Sequence, residues 1–239
     1  MAKKHQKNNV AIIGGSGLFS LNILKNAKLN NVKTPFGKVN YFLIGSKIFL
    51  NRHGLGKVVP PHRIRHRANI AALKKLGARY IFAFSSVGSL KKDIAPGRFL
   101  VPDDYINFDN ITFFENKMEF LTPEISPKLR KILIEILQKL KIKFKSRGVY
   151  FQTTGPRFET KAEIRMIKNF ADVVGMTVAK EATLAQELGI DYACLCSVDN
   201  FAHGLVNNPL SQQGFEINQK RNLSQIKKII RDILGLQLL

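Results

Sequence analysis

Short apolar runs alternate with stripes of helical period from residue 10 almost to the end of the chain. Val10–Ile13, Tyr80–Phe84, Phe99–Val101, Gly148–Gln152, Ala171–Gly175 and Tyr192–Val198 are too short for helices and read as strands buried on both faces. Val39–Ile44 and Lys47–Leu50 predict a hairpin around Gly45-Ser46, after a Thr-Pro-Phe-Gly turn within Val32–Lys38. Helical spacing recurs over Arg65–Leu76, stopped by Gly77, over Pro127–Leu140, over Ala162–Asn169, and over Glu181–Leu188, stopped by Gly189. Most of Ser211–Leu239 predicts one amphipathic helix, with Leu223, Ile226, Ile229, Ile230, Ile233 and Leu234 on its apolar face. No internal repeat, low-complexity segment or linker interrupts this alternation, so the pattern predicts a single α/β domain over 10–239 behind a basic tail at 1–9.

Composition narrows the class. A chain of 239 residues with 45% hydrophobic and 23% charged residues can bury one sizeable core and is globular rather than disordered. The longest apolar runs fall far short of a membrane span, and MAKKHQKNNV is too polar for the core of a secretory signal, so a cytoplasmic location is expected. Cys194 and Cys196 alternate along one predicted strand, which suits core thiols and not a zinc site. The net charge of +21 admits a nucleic-acid partner or attraction of an anionic substrate. The lysines are dispersed, as in Lys74-Lys75, Lys91-Lys92 and Lys227-Lys228, and no zinc finger or RNA-binding aromatic signature accompanies them. A solvated basic surface is the favoured reading.

The candidate chemistry sits where strands run out, which in an open α/β sheet is where ligands bind. Gly14-Gly15-Ser16-Gly17 follows the first strand and offers amides and the Ser16 hydroxyl to an anion, although a tight structural turn explains it equally well. It lacks the third glycine of a dinucleotide loop and the lysine of an NTPase loop. Arg52-His53 at the hairpin exit pairs a planar fork with a titratable donor, suited to a phosphate dianion, or else supplies a rim salt bridge. Ser85-Ser86-Val87-Gly88-Ser89 presents two hydroxyls and a glycine at a third exit. Phe158-Glu159 brings out an aromatic face and a carboxylate together, fit to stack on a flat ring and accept its N–H. The alternative is a core Phe and a first-turn acid. Met176-Thr177 and Asp199, Asn200 and His203 follow two further strands. Asp103, Asp104 and Asp109 form an acidic cluster without neighbouring histidines, read as capping and surface residues rather than metal ligands.

In order, AIIGGSGLF, NRHG, PPHRIRHRANI, FSSVGSL, TTGPRFETKAEIRM and VVGMTVAKEATLAQELGI resemble the trimeric purine nucleoside phosphorylase and methylthioadenosine phosphorylase family, from about Val10 to about Gly204. The resemblance implies a mixed, partly closed β-sheet flanked by helices, a homotrimer or dimer of trimers, and sites near subunit interfaces. It implies phosphate binding by Ser16, Arg52, His53, Ser86 with the Val87 amide, and Thr177. Met176 lies beneath the ribose, and Phe158, Glu159, Asn200 and Ala202 line the base side. Phosphorolysis through a cationic sugar needs no protein nucleophile, metal or organic cofactor. Inorganic phosphate is the cosubstrate, and Asn200 and Glu159 stabilise the departing purine.

Departures from the family pattern sharpen the substrate. Adenine-specific relatives place Asp at the Asn200 position and again two residues on, where this chain has Ala202. An amide donates to O6 or N7, and a carboxylate at Glu159 accepts the N1–H that hypoxanthine and guanine carry and adenine lacks, which predicts a 6-oxopurine. Val198–Ala202 resembles members acting on 5′-methylthioinosine. A 5′-hydroxyl, as in inosine or guanosine, calls instead for a polar partner such as His203 or a neighbouring subunit's His62. The rivals are an adenine-specific methylthioadenosine phosphorylase, a hydrolytic nucleosidase, and a nucleic-acid-binding protein on the same fold.

Overall fold

Burial of period two divides the central strands between two cores. The computed structural model describes residues 9–15, 17–18, 24, 27–55, 58–109, 111–207, 212–236 and 238. Strand β1 (Val10–Gly14), β5 (Tyr80–Ser89) and β11 (Asp191–Phe201) run parallel, with β5 in the middle. Ala11, Ile13, Ile81, Ala83, Cys194 and Cys196 face one core, and Val10, Ile12, Phe82, Phe84, Ala193 and Leu195 face the other. Helix α1 (His66–Lys75) and α4 (Val178–Glu187) bring Ile70, Leu73, Ala182 and Ala185 to the first core. On the opposite face, α2 (Pro127–Lys139) and α5 (Gln212–Leu234) bring Leu129, Leu133, Ile229 and Ile233 to the second. Cover on both faces is why these strands read as unbroken apolar runs.

The rest of the sheet grows from these three strands. An antiparallel meander of β2 (Lys28–Thr34), β3 (Gly37–Ile44) and β4 (Lys47–Asn51) joins β1 through β4. On the other side β6 (Phe99–Leu100) pairs β11 and then β8 (Phe144–Lys145). The far end of β5 pairs antiparallel with β10 (Val173–Gly175), which continues to β9 (Val149–Gln152) and β7 (Asp104–Ile106). The sheet is mixed and flanked by helices, as the resemblance implies, in an open arrangement that forks at β5. After β9, α3 (Lys161–Ile167) starts on a capping box between Thr160 and Glu163.

Two strands run further than their apolar runs predict. β5 continues through Ser85–Ser89 and β11 through Asp199–Phe201, because each pairs with the other beyond the apolar part, Ser86 against Ser197 and Gly88 against Asn200. Polar groups expected in loops therefore stand on a hydrogen-bonded ladder. The register slips between Val198 and Asn200, which makes Asp199 the extra residue of a β-bulge. Strand β2 is polar and largely exposed and forms by pairing with β3, a tertiary effect that its sequence does not announce. Helix α4 begins at Val178 rather than Glu181. Among the described residues no helix is long and apolar enough to cross a membrane. Of the tail expected over 1–9, residues 1–8 lie outside the described residues.

Candidate active site

A cavity of about 430 Å³ lies where β5, β10 and β11 end beside the start of α4. One end of it is built on a buried ion pair. Arg52 leaves β4 with its backbone N–H bonded to Gly14 O at 3.0 Å, which sends its side chain under the β1 exit. Its Nε and Nη2 donate to Glu181 Oε1 and Oε2 at 2.7 and 3.0 Å, and Nη1 donates to Phe84 O at 2.7 Å. Both residues are buried, and Glu181 also accepts from Tyr192 Oη at 2.9 Å. Burial opposes both charges, but each is outweighed by the other's field: Glu181 is held below the usual carboxylate range and Arg52 above its ordinary value.

This pairing corrects the simplest view of Arg52 as a fork open to an anion or a rim ion pair, since the side-on fork is taken by Glu181. Of five guanidinium donors three are used, leaving one N–H on each Nη. A Cβ built on Gly15 would stand 3.7 Å from Nη1 and 3.8 Å from His53 Nε2, so glycine at this position keeps both open to the cavity.

The second group is His53. Its Nδ1 lies 2.7 Å from Val59 O, and a carbonyl can only accept, so Nδ1 carries the proton. Burial, helped by the nearby Arg52 charge, lowers its pKa despite the Val59 bond, which leaves Nε2 a bare acceptor at neutral pH. Opposite, Thr177 caps nothing with its side chain: Oγ1 stands 3.4 Å from Ser85 Oγ. The first amides of α4 are satisfied from below, Thr177 and Val178 by Tyr150 Oη at 3.1 and 3.4 Å, and Ala179 by Gln152 Oε1 at 2.8 Å. Adjacent residues of β5 point to opposite sides, so Ser85, missed by motif matching, meets Thr177 while the Ser86 hydroxyl turns away and donates to Asp199 Oδ2. Ser86 and Val87 still line the cavity. Ser16 lies outside the described residues.

Phe158, Glu159, Met176, Asn200 and Ala202 line the other part of the same cavity. Glu159 is buried and accepts from Thr153 Oγ1 at 2.6 Å. The first-turn acid of α3 is Glu163 instead, which frees Glu159 from a capping role. His203 Nδ1 lies 3.1 Å from Glu159 O and ties the loop to the β11 exit. Asn200 Nδ2 donates to Phe201 O at 2.8 Å. Its amide also sits against Gly88, where an added Cβ would come within 3.1 Å of Nδ2. Leu223 and Ile226 of α5 close the wall, a contribution that their helical spacing signalled only as packing. Asp103 is engaged by Arg147 and the Gly148 amide, and Asp109 by Lys180. Among the described residues no group of three or more metal-ligating side chains converges.

A family model described as "Phosphorylase superfamily" matches residues 9–235. The chain is 39% identical over 229 residues to a protein named probable 6-oxopurine nucleoside phosphorylase from Archaeoglobus fulgidus, covering 93% of this chain and 94% of that one. It is 42% identical over 234 residues to a probable S-methyl-5′-thioinosine phosphorylase from Methanocaldococcus jannaschii, covering 95% and 92%. Among solved structures, methylthioadenosine phosphorylase from Schistosoma mansoni in complex with adenine matches with a TM-score of 0.82 and 28% identity, covering 93% of this chain and 89% of that chain.

Proposed function

The chain belongs to the phosphorylase superfamily, and from that premise we propose that it cleaves 6-oxopurine nucleosides with inorganic phosphate, giving the free purine and a ribose 1-phosphate. The observation that carries this reading is one cavity lined by two chemically distinct sets of groups: Arg52, His53, Ser85 and Thr177 in one, and Asn200, Glu159 and Phe158 in the other. The enzyme is a purine nucleoside phosphorylase, a pentosyltransferase with phosphate as cosubstrate.

Phosphate attacks C1′ as the C1′–N9 bond breaks, and the bonding pair leaves with the purine. The two spare guanidinium N–H groups and the hydroxyls of Ser85 and Thr177 orient the anion, and His53 Nε2 accepts a hydrogen bond from a P–OH, whose proton is given up as the ester forms and is balanced by the proton that the departing purine takes up. An Asn200 donor stabilises the negative charge growing on the leaving purine, and Glu159 accepts N1–H. The 6-oxo preference rests on these two side chains and on apolar Ala202. Adenine would leave Glu159 without the N1–H donor, with Thr153 alone serving the buried carboxylate. The adenine-specific alternative draws on the Schistosoma mansoni match and on relatives named S-methyl-5′-thioadenosine phosphorylase at 36% and 38% identity, so the choice between the two rests on Asn200, Glu159 and Ala202 rather than on identity.

At the 5′ position a methylthio group is favoured over a hydroxyl, since Leu223 and Ile226 supply an apolar wall. The assembly is a homotrimer in this reading, which gives the exposed Phe108, Met118 and Phe120 a surface to bury. The location is cytoplasmic, and membrane and nucleic acid are not partners. Purine release from inosine, 5′-methylthioinosine and 5′-methylthioadenosine, each with and without phosphate, tests the whole reading. Release without phosphate would make the enzyme a hydrolase, and equal efficiency on the adenine nucleoside would refute the roles of Asn200 and Glu159.

A further inference from the structure

Asp199 is fully buried, and its place is unusual in three respects. It is the extra residue of the β11 bulge, it lines the cavity wall, and it links Ser86 of β5 to Asn222 of α5 through its two carboxylate oxygens. Oδ2 accepts from Ser86 Oγ on β5 and lies 3.5 Å from Ser197 Oγ, while Oδ1 accepts from Asn222 Nδ2 on α5 at 2.7 Å. On the phosphorolytic reading of the cavity, we propose that Asp199 is a positioning residue that sets the hydrogen-bond polarity of Ser86 towards the substrates.

The chemistry follows from the count of protons. An ionised Asp199 holds the hydroxyl proton of Ser86, so that Ser86 offers the cavity lone pairs only. A neutral Asp199 donates to Ser86 Oγ, and the hydroxyl proton of Ser86 turns to an acceptor oxygen in the cavity. The groups facing Asp199 are Ser86 from β5, Asn222 from α5 and Ser197 from its own strand, and none of them is charged. Burial pushes the Asp199 carboxyl up to about 6, against the pull of those three donors, so both states are reached within the working range of an enzyme assay.

Steady-state kinetics of wild type, Asp199→Asn and Ser86→Ala from pH 5 to 8.5, with KM measured separately for phosphate and inosine, test this. Titration of free phosphate is common to all three proteins and cancels in their ratios. The Asn amide donates to Ser86 at every pH, so Asp199→Asn should match wild type at pH 5 and show one KM lower by about tenfold at pH 8, the size of one hydrogen bond. Which KM moves identifies the acceptor as a phosphate oxygen or a nucleoside oxygen. In Ser86→Ala the break near pH 6 should vanish, and this decides the matter if Asp199→Asn does not fold. A ratio constant within about twofold across the range, equal movement of both KM values, or a wild-type profile in Ser86→Ala overturns the role of Asp199. Absence of phosphate-dependent purine release by wild type at every pH overturns instead the phosphorolytic reading itself.

Discussion

Removing one partner of the Arg52–Glu181 pair should cost far more than removing both. Glu181→Leu deletes the acceptor of two of the three Arg52 bonds and of the Tyr192 hydroxyl, and strands a guanidinium that is 3% exposed. An uncompensated buried charge of this kind costs about 3–5 kcal/mol. For a chain of this length that lowers Tm by on the order of 10 °C. Arg52→Met strands the carboxylate and should cost a similar amount. In Arg52→Met/Glu181→Leu no charge is left buried, so the double variant should be less destabilised than either single, which puts the coupling energy above about 4 kcal/mol. Urea unfolding of the four proteins at pH 7.5 without phosphate measures the cycle. Glu181 is held below its ordinary pKa, so its contribution is fully present at that pH and is lost only as the pH falls through the folded value. A coupling under about 1 kcal/mol, the size found for exposed pairs, would show that the two charges are not the anchor of this end of the cavity.

Gly88→Ala should place a methyl 3.1 Å from Asn200 Nδ2 and 3.3 Å from Val174 Cγ1, lowering kcat/KM about 10- to 100-fold with little change in Tm; unchanged kinetics would detach Asn200 from the chemistry. Tyr150→Phe leaves the buried Thr177 and Val178 amides without their acceptor and should cost about 2 kcal/mol in urea unfolding, with a raised KM for phosphate as Thr177 shifts. The folded carboxyl of Asp199 is raised from 3.8 to about 6, so its stabilising contribution is complete below the unfolded value and is lost as the pH rises through the folded one. The stability of Asp199→Asn relative to wild type should therefore improve by about 3 kcal/mol between pH 3.5 and pH 7.5, and a flat difference would refute the raised value.

Legibility in the sequence followed the kind of force that forms each feature. β1, β5 and β11 were plain because burial on both faces leaves an uninterrupted apolar run, and the amphipathic stripe of α2 was equally plain. What pairing alone dictates was hidden: β2, the polar halves of β5 and β11, and the bulge at Asp199. The same divide runs through the cavity. Arg52, His53, Thr177, Glu159 and Asn200 could be picked out because polar groups at strand exits stand out against apolar runs. Ser85 and Ser86 are not told apart by the sequence, since which of two adjacent serines meets Thr177 depends on the strand continuing through both. Glu181 looked like an ordinary helix residue, because its partner lies 129 positions away.

The electrostatics of the cavity separate attraction from orientation. Glu181 cancels the charge of Arg52, His53 is held neutral by burial, and Glu159 stands in the same cavity. Among the described residues that line the cavity, no excess of positive charge is therefore available to trap a dianion. In the proposed reading, the donors offered by the described residues, two guanidinium N–H groups and the hydroxyls of Ser85 and Thr177, act through direction. Phosphate must lose charge to C1′ as it reacts, so a bare cationic trap would stabilise the ground state more than the transition state and slow the step. Long-range attraction comes instead from the chain as a whole, whose net charge of +21 raises the encounter rate with anions without fixing any of them. A lysine-rich surface and a charge-balanced cavity are in this way complementary parts of one design for handling phosphate.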